Sequence, residues 1–179
     1  MIQDKSKAKL RRGFLQQRRA LSLSSWQEKS DRLRERLQSR PVFQEAHTVL
    51  AYFSFRQEPD LSPLFGDRRW GFPRCVGNAL SWHGWEMGDA LEIGAYGIPE
   101  PLATAPQLTP EAVDLILVPA VACDRQNYRL GYGGGFYDRL LSSPPWSGKV
   151  AVGIVFDFAY VSELPRDSWD RPLSGVCSD

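Results

Sequence analysis

The sequence predicts an α/β fold in which helices cover both faces of a mostly parallel sheet. Residues 113–123, VDLILVPAVAC, are almost continuously apolar, which is typical of a strand buried on both faces of such a sheet. Residues 149–156, KVAVGIVF, predict a second buried strand. Between them lie a loop (124–134) and a helix from about Gly135 to Leu141. Strand, loop, helix and strand in this order make a βαβ unit, whose strands are parallel.

The first 40 residues predict two helices, because apolar side chains recur at roughly helical spacing in two groups. Residues 22–25 separate the groups, and Ser25 with Glu28 matches the S-x-x-E capping box that begins many helices. Pro41 ends the second helix. The two groups are Leu10, Phe14 and Leu21, then Trp26, Leu33 and Leu37.

The central part of the chain predicts short strands separated by turns. TVLAYFSF (48–55) is β-branched and aromatic and is therefore expected to be a strand. Residues 94–110 contain too many glycines and prolines for regular structure and predict an ordered loop. The remaining predicted elements are a short helix around 60–66 and strands at 68–75, 79–87 and 172–178.

The composition is that of an ordinary soluble globular protein of 179 residues, with 42% hydrophobic and 24% charged residues. The longest apolar run is too short for a membrane span, and the charged N-terminus shows no secretory signal. Three scattered cysteines fit neither a disulfide framework nor a C-x-x-C zinc site, and they suit a reducing cytoplasm. We expect one cytoplasmic domain over residues 1–179, with residues 1–40 as its basic helical segment.

The charge is distributed unevenly along the chain. Residues 1–40 carry 12 Lys and Arg against 4 Asp and Glu, a net charge of +8, whereas the other 139 residues carry 10 against 17, a net of −7. This asymmetry suggests an anionic ligand or partner. A solvated helix surface is the simpler interpretation, and the negative charge of the rest of the chain argues against a nucleic-acid binder.

Residues 129–141, RLGYGGGFYDRLL, place four glycines between a buried strand and a helix. Free backbone N–H groups at such a position favour an anion, and glycine lets phosphate oxygens approach the main chain. The stretch is neither a G-x-x-x-x-G-K-[ST] phosphate loop nor a G-x-G-x-x-G dinucleotide fingerprint. The alternative is a tight turn that needs glycine for geometry alone.

Two charged residues flank the glycines. Arg129 can neutralise a phosphate with forked hydrogen bonds. Asp138, in the first turn of the predicted helix, can hold Mg²⁺ that bridges phosphate oxygens. Its alternative role is to complement the helix dipole.

The stretch DLILVPAVACDRQNYRLGYGGGFYDRLL (114–141) resembles the signature of the 5-formyltetrahydrofolate cyclo-ligase family, also called 5,10-methenyltetrahydrofolate synthetases. Further matching segments occur in the family's order along nearly the whole chain. They are Lys7 and Arg11 in K-x-x-x-R, Glu58 in FRQEPD, Pro73–Arg74, and GIPEP at 97–101.

The resemblance implies a three-layer α/β/α, Rossmann-like domain (NagB/RpiA/CoA transferase-like). It also implies an enzyme that uses ATP and Mg²⁺ to convert 5-formyltetrahydrofolate to 5,10-methenyltetrahydrofolate, with release of ADP and phosphate. We expect a monomer whose partners are small molecules rather than nucleic acid or a membrane; the sequence leaves open whether the folate it uses is polyglutamylated.

The resemblance also assigns roles to individual residues. The implied ATP site is Lys7, Arg11, Arg129, Leu130, Gly131, Tyr132, Gly133, Gly134, Gly135, Phe136 and Tyr137. The implied folate site is Phe53, Glu58, Tyr132, Gly133, Gly134, Gly135 and Phe136. Asp138 and Asp170 are the implied magnesium ligands, and Arg129, Tyr132, Tyr137 and Asp138 the implied catalytic residues.

The chain departs from the family pattern at a few positions. Gly134 stands where some members carry lysine, and Trp169 precedes Asp170 where histidine is common.

A different reading of the same loop is a sugar-phosphate isomerase or deacylase, which needs a general base near the phosphate. Only Asp124 and Asp138 are close enough in sequence for that role.

Overall fold

The computed structural model describes residues 2–179, and describes side chains from residue 6 onwards. The helices are α1 (Ile2–Arg19), α2 (Leu23–Gln38), α3 (Pro41–Gln44) and α4 (Phe136–Ser142), with 3-10 turns at Ser62–Leu64, Pro110–Ala112 and Asp157–Ala159. The strands are β1 (Thr48–Leu50), β2 (Arg69–Val76), β3 (Ala79–Gly84), β4 (Leu91–Ile93), β5 (Pro99–Pro101), β6 (Leu115–Pro119), β7 (Ala122–Asp124), β8 (Arg129–Leu130), β9 (Val150–Ile154), β10 (Tyr160–Val161) and β11 (Gly175–Cys177).

A six-stranded sheet with the order β11-β9-β6-β1-β2-β3 forms the centre of the molecule. Its first five strands are parallel, and β3 pairs antiparallel with β2 as a hairpin. Two small sheets, β10-β7-β8 and β4-β5, lie outside it. The predicted mostly parallel sheet is confirmed.

Both faces of the sheet are covered, which explains the apolar strands. In β6, Leu115 and Leu117 pack with α2 and α3 residues such as Leu33, whereas Ile116 and Val118 belong to the core beneath α1 and α4. Alternate side chains of one strand therefore enter two different cores. This is the predicted three-layer α/β/α arrangement.

The predicted strand at 48–55 is wrong in its length. β1 ends at Leu50, and Ala51 makes one more ladder bond, from its N–H to the carbonyl of Gly71 (2.9 Å). The chain then turns over Arg56 and Gln57, which both have positive φ (50° and 57°). The aromatic residues that suggested a strand instead line the cavity described below or pack in the core.

The predicted strand at 113–123 is divided between two sheets. After β6 the chain bends, the N–H of Val121 bonds to the carbonyl of Leu130 (2.8 Å), and β7 joins β8 and β10. The bend lies at the end of the parallel sheet, where Ala120 offers its carbonyl to Arg18. A continuous apolar pattern could not show this change of sheet, because both sheets bury these residues.

Two local predictions are also corrected. Ser22, not Ser25, caps α2, because its hydroxyl accepts a hydrogen bond from the N–H of Ser25 (3.1 Å). Residues 94–110 are not entirely irregular, because β5 pairs antiparallel with β4 through Glu100 and Glu92. Among the described residues, no helix is both long and apolar enough to cross a membrane.

Candidate active site

A cavity of about 710 Å³ opens at the carboxyl ends of the central parallel strands. Pro119, the last residue of β6, and Tyr52, just after β1, lie at its base. This is where ligands bind in open parallel sheets. Every site residue that the sequence predicted lines this cavity: Lys7, Arg11, Phe53, Glu58, Arg129, Leu130, Gly131, Tyr132, Gly133, Gly134, Gly135, Phe136, Tyr137, Asp138 and Asp170.

The glycine loop forms one wall of the cavity. Gly133 and Gly135 have φ of +106° and +68°, which side chains rarely adopt, and Gly135 is the N-cap of α4. The Nε of Arg11 donates to the carbonyl of Gly131 (2.7 Å), which ties α1 to the loop. On the far side, Arg139 donates to the carbonyl of Gly134 (2.7 Å). The loop is therefore anchored at both ends by arginines.

Arg129 and Asp138 face each other beside this loop. Nη2 of Arg129 donates to Oδ2 of Asp138 at 2.9 Å, and the guanidinium lies 5.2 Å from the centre of the Tyr137 ring. The Nε of Arg129 is buried and has no hydrogen-bond partner within the described part of the chain. The guanidinium is thus not fully satisfied by the protein alone.

Lys7, which also lines the cavity, lies between two carboxylates. Its ammonium donates to Oδ2 of Asp167 (2.6 Å) and of Asp170 (2.5 Å), and its side chain is almost buried. Burial alone lowers the pKa of Lys7, but the hydrogen bonds to the two aspartates outweigh it and leave the pKa raised. The lysine is a firmly charged group that α1 places in the cavity.

Glu58 is a buried carboxylate with 3% of its surface exposed. Its N–H bonds to the carbonyl of Phe55 (3.1 Å), closing the turn, and its Oε2 accepts from the N–H of Phe55 (3.1 Å). Oε1 accepts from the hydroxyl of Tyr132 (3.0 Å). Burial raises the pKa of Glu58 from 4.5 to about 7, despite opposing effects from Arg18 and these hydrogen bonds.

Phe53 serves both the cavity and the core. Its ring stacks on that of Phe72 (centroids 4.1 Å apart) and meets the edge of Trp85 (5.2 Å), while it also lines the cavity. Tyr96, in the β4–β5 turn, and Trp169 are exposed aromatic residues at the cavity rim. A planar ligand would therefore meet aromatic surface on several sides.

Asp124 is not placed to act as a base. It is fully buried outside the cavity lining and accepts backbone N–H bonds from Gln126, Tyr128 and Leu164 at 2.9–3.0 Å. It holds the β7–β8 turn. Asp138 is paired with Arg129, so the geometry gives little support to the isomerase reading of the loop.

The sequence reasoning missed two charged residues of this region. Asp167 pairs with Lys7 beside Asp170, three residues later. Arg18 bonds to Tyr132 and lies 3.9 Å from Glu58. Arg18 lies seven residues after Arg11, so the two side chains share the face of α1 that also carries Lys7. This spacing was the signal in the sequence that could have identified Arg18.

Comparisons with known proteins agree on one family. The model of the 5-formyltetrahydrofolate cyclo-ligase family matches residues 3–179. The 5-formyltetrahydrofolate cyclo-ligase of Escherichia coli (strain K12) is 33% identical over 172 residues, covering 90% of this chain and 93% of that protein. That of Mycolicibacterium smegmatis is 30% identical over 190 residues, covering 96% and 93%.

Solved structures agree with the sequence comparisons. The 5,10-methenyltetrahydrofolate synthetase of Aquifex aeolicus superimposes with a TM-score of 0.84 at 35% identity, covering 96% of this chain and 89% of that one. The synthetase of Mycoplasma pneumoniae, at 22% identity and a TM-score of 0.75, shares the fold. By the extent of these matches, this chain belongs to the 5-formyltetrahydrofolate cyclo-ligase family.

Proposed function

We propose that the protein converts 5-formyltetrahydrofolate to 5,10-methenyltetrahydrofolate and turns ATP into ADP and phosphate. One observation carries the proposal beyond family membership. A single cavity joins a glycine loop flanked by Arg11 and Arg129 to a pocket of aromatic residues with the buried carboxylate of Glu58. The first part suits a polyphosphate, and the second suits a planar, hydrogen-bonding ring system.

The nucleotide is proposed to lie along the glycine loop. Arg129 has an unsatisfied buried Nε and is the natural contact for the transferred phosphate. Lys7 and Arg11 approach from α1 and add positive charge. The complete proposed set is Lys7, Arg11, Arg129, Leu130, Gly131, Tyr132, Gly133, Gly134, Gly135, Phe136 and Tyr137.

The donors present fit Mg²⁺. Asp138 and Asp170 both line the cavity, and Mg²⁺ is commonly held by one or two carboxylates together with phosphates and water. Among the described residues, no group of three or more His, Cys, Asp or Glu side chains lies together as a metal site. When bound, the metal would neutralise phosphate charge. Arg129 and Lys7, which pair with these aspartates here, would then be free to face the phosphates.

The folate ring is proposed to bind at Glu58. A carboxylate can accept two parallel N–H bonds from the amino-pyrimidine edge of a pterin. Each oxygen of Glu58 has one protein donor, which leaves further acceptor capacity on both. Phe53 and the residues from Tyr132 to Phe136 complete the proposed contacts, so the loop is shared by both substrates.

The chemistry needs positioning more than covalent help from the protein. A formamide oxygen is a poor leaving group until it attacks the γ-phosphorus of ATP and displaces ADP, which makes it part of an imidate phosphate ester. N10 then attacks the activated carbon, loses its proton, and phosphate departs. Arg129, Tyr132, Tyr137 and Asp138 surround the proposed site of this transfer and would align and neutralise the reacting groups.

We further propose that residues 1–179 act as one monomeric domain on free small molecules in the cytoplasm, including polyglutamylated folates. The three free thiols suit a reducing compartment. The positive side chains of Lys7, Arg11 and Arg18 are used within the site region rather than on a surface that would track nucleic acid.

The test is a direct assay. The purified protein is mixed with 5-formyltetrahydrofolate, ATP and Mg²⁺, and the absorbance of the methenyl product and the release of ADP are followed together. Equal amounts of both products are expected, with none when ATP is omitted or Mg²⁺ is chelated. Absence of ATP-dependent product at high enzyme concentration would reject the proposal, and stabilisation by sugar phosphates instead would favour the isomerase reading.

A further inference from the structure

Arg18 is a buried arginine that the proposed chemistry does not yet use. It lies near the end of α1 with 2% of its surface exposed and does not line the cavity. Nη2 donates to the carbonyl of Ala120 (2.6 Å), and Nη1 donates to the hydroxyl of Tyr132 (2.8 Å). One side chain thus connects the end of β6 to the glycine loop.

The hydrogen bonds from Arg18 have a fixed direction. A guanidinium can only donate, so the Tyr132 oxygen accepts from Arg18 and its single proton is free to point elsewhere. The nearest acceptor is Oε1 of Glu58, at 3.0 Å. The result is a chain of donors from Arg18 through Tyr132 to Glu58, in which each bond strengthens the next.

Arg18 is also the buried positive charge nearest to Glu58, with Nη1 3.9 Å from Oε1. The other groups that face Glu58 electrostatically are Arg56, Tyr52, Tyr132 and Tyr137. Arg56 is exposed to solvent, which screens its charge, and the tyrosines carry none when protonated. A buried carboxylate needs such a partner to remain charged.

We propose that Arg18 is a positioning residue for folate binding: it holds the Tyr132 hydroxyl against Glu58 and favours the charged form of Glu58, which is the acceptor for the pterin. This inference rests on the proposed function. Arginine suits the role because its planar fork reaches Ala120 and Tyr132 at once, which a lysine ammonium cannot reproduce.

The experiment compares Arg18→Gln with Arg19→Gln. Arg19 is the next residue of α1 and is exposed, so its substitution changes the net charge equally without touching the Tyr132–Glu58 chain. Binding of 5-formyltetrahydrofolate is measured by calorimetry without ATP, from about pH 6 to 9. Unfolding curves are recorded to check that each variant is folded.

We expect Arg18→Gln to bind folate roughly tenfold more weakly than wild type at pH 7, with the loss narrowing to within about threefold near pH 9. The reason is that Glu58 without its cation takes up a proton more readily, and only the charged form is the double acceptor. Arg19→Gln should follow the wild-type curve. Arg18→Lys should bring the pH midpoint of folate binding back toward the wild-type value more than it restores the folate affinity. Lysine returns the positive charge but not the planar guanidinium.

Other outcomes separate the two claims. A loss in Arg18→Gln that is equal at all pH values, or no loss, overturns the role of Arg18. Wild type and Arg19→Gln that both fail to bind folate overturn the proposed function and the inference with it. If Arg18→Gln does not fold, Tyr132→Phe is measured instead. The proposed role requires the pH midpoint of folate binding to be higher in Tyr132→Phe than in wild type. An unchanged midpoint rejects the role of Arg18.

Discussion

Arg129 and Asp138 form an ion pair beside the first turn of α4, with Nη2 of the arginine 2.9 Å from Oδ2 of the aspartate. We propose that each contacts a different part of one ligand, Arg129 a phosphate and Asp138 the metal. Their pairing holds both side chains in place before the nucleotide arrives. Binding of the proposed nucleotide and metal would then exchange partners rather than order two free side chains, which would lower its entropic cost.

Asp138→Asn should reduce turnover about a hundredfold or more and weaken the dependence of the rate on Mg²⁺ concentration, because an amide keeps the size but loses the charge. The variant should stay folded with a modest fall in melting temperature, because the ion pair with the almost buried Arg129 becomes a neutral hydrogen bond. Steady-state rates over a Mg²⁺ titration check this, with the exposed Asp31→Asn on α2 as a control. A variant with normal turnover and normal Mg²⁺ response would remove Asp138 from the metal site.

Arg129→Ala should raise the KM for ATP about tenfold or more and change the KM for folate much less, since a charged hydrogen bond to phosphate is lost. Separate titrations of the two substrates measure the difference. Arg125→Ala is the matched control, because Arg125 lies four residues earlier and is exposed. An equal rise in both KM values would place Arg129 outside the phosphate contacts.

Lys7→Met should raise the KM for ATP and also destabilise the ligand-free protein by about 1–2 kcal/mol. Without the ammonium, the carboxylates of Asp167 and Asp170 lose their shared counter-ion. Mg²⁺ should therefore raise the melting temperature of the variant more than that of wild type. Thermal unfolding with and without Mg²⁺ tests this, and equal shifts would contradict it.

Gly133→Ala should impair ATP binding, because a φ of +106° strains any residue that carries a side chain. Gly13→Ala, in the interior of α1 with open space around it, should instead stabilise the protein by about 0.5–1 kcal/mol. Chemical unfolding and the KM for ATP are measured for both. Normal ATP binding in Gly133→Ala would show that the loop conformation is not required.

Glu58 should make the stability of the ligand-free protein depend on pH. Its pKa is raised by burial to about 7, so the folded state holds the proton more tightly than the unfolded chain. The resulting stabilisation is fully present below about pH 4.5 and is lost as the pH rises through 7, a change of about 3 kcal/mol.

The measurement compares wild type with Glu58→Gln, which does not titrate at this position. The difference in their free energies of unfolding should fall by about 3 kcal/mol between pH 4.5 and about pH 8. Glu58→Gln also leaves Arg18 without its carboxylate partner. This adds a constant to the difference in free energy of unfolding and does not change how that difference varies with pH. The exposed Glu28→Gln serves as the control, and parallel curves for wild type and Glu58→Gln would contradict the raised pKa.

Sequence reasoning found residues that line the cavity where one short stretch carries both the geometry and the chemistry. Residues 129–138 combine glycines, a cation and a carboxylate between a strand and a helix, and local rules are enough to expect an anion there. The two buried strands followed from their unbroken apolar pattern.

The rest depended on contacts that are distant in sequence. Arg18 meets Tyr132 and Ala120, more than 100 residues away, and Lys7 meets Asp167 and Asp170. A basic helix gives no sign of which charges turn inward. The break between β6 and β7 is hidden for a similar reason, because apolar residues are equally suited to either sheet.

Helix α1 places Lys7, Arg11 and Arg18 in three sets of contacts: with the carboxylates of Asp167 and Asp170, with the carbonyl of Gly131, and with the hydroxyl of Tyr132, which bonds to Glu58. A ligand that shifts this helix along its axis changes all three contacts together. We therefore expect the two substrates to influence each other's affinity through α1, with a reciprocal coupling free energy of about 1–3 kcal/mol. The two substrates, which must meet for the proposed phosphoryl transfer, would then also influence each other through one helix.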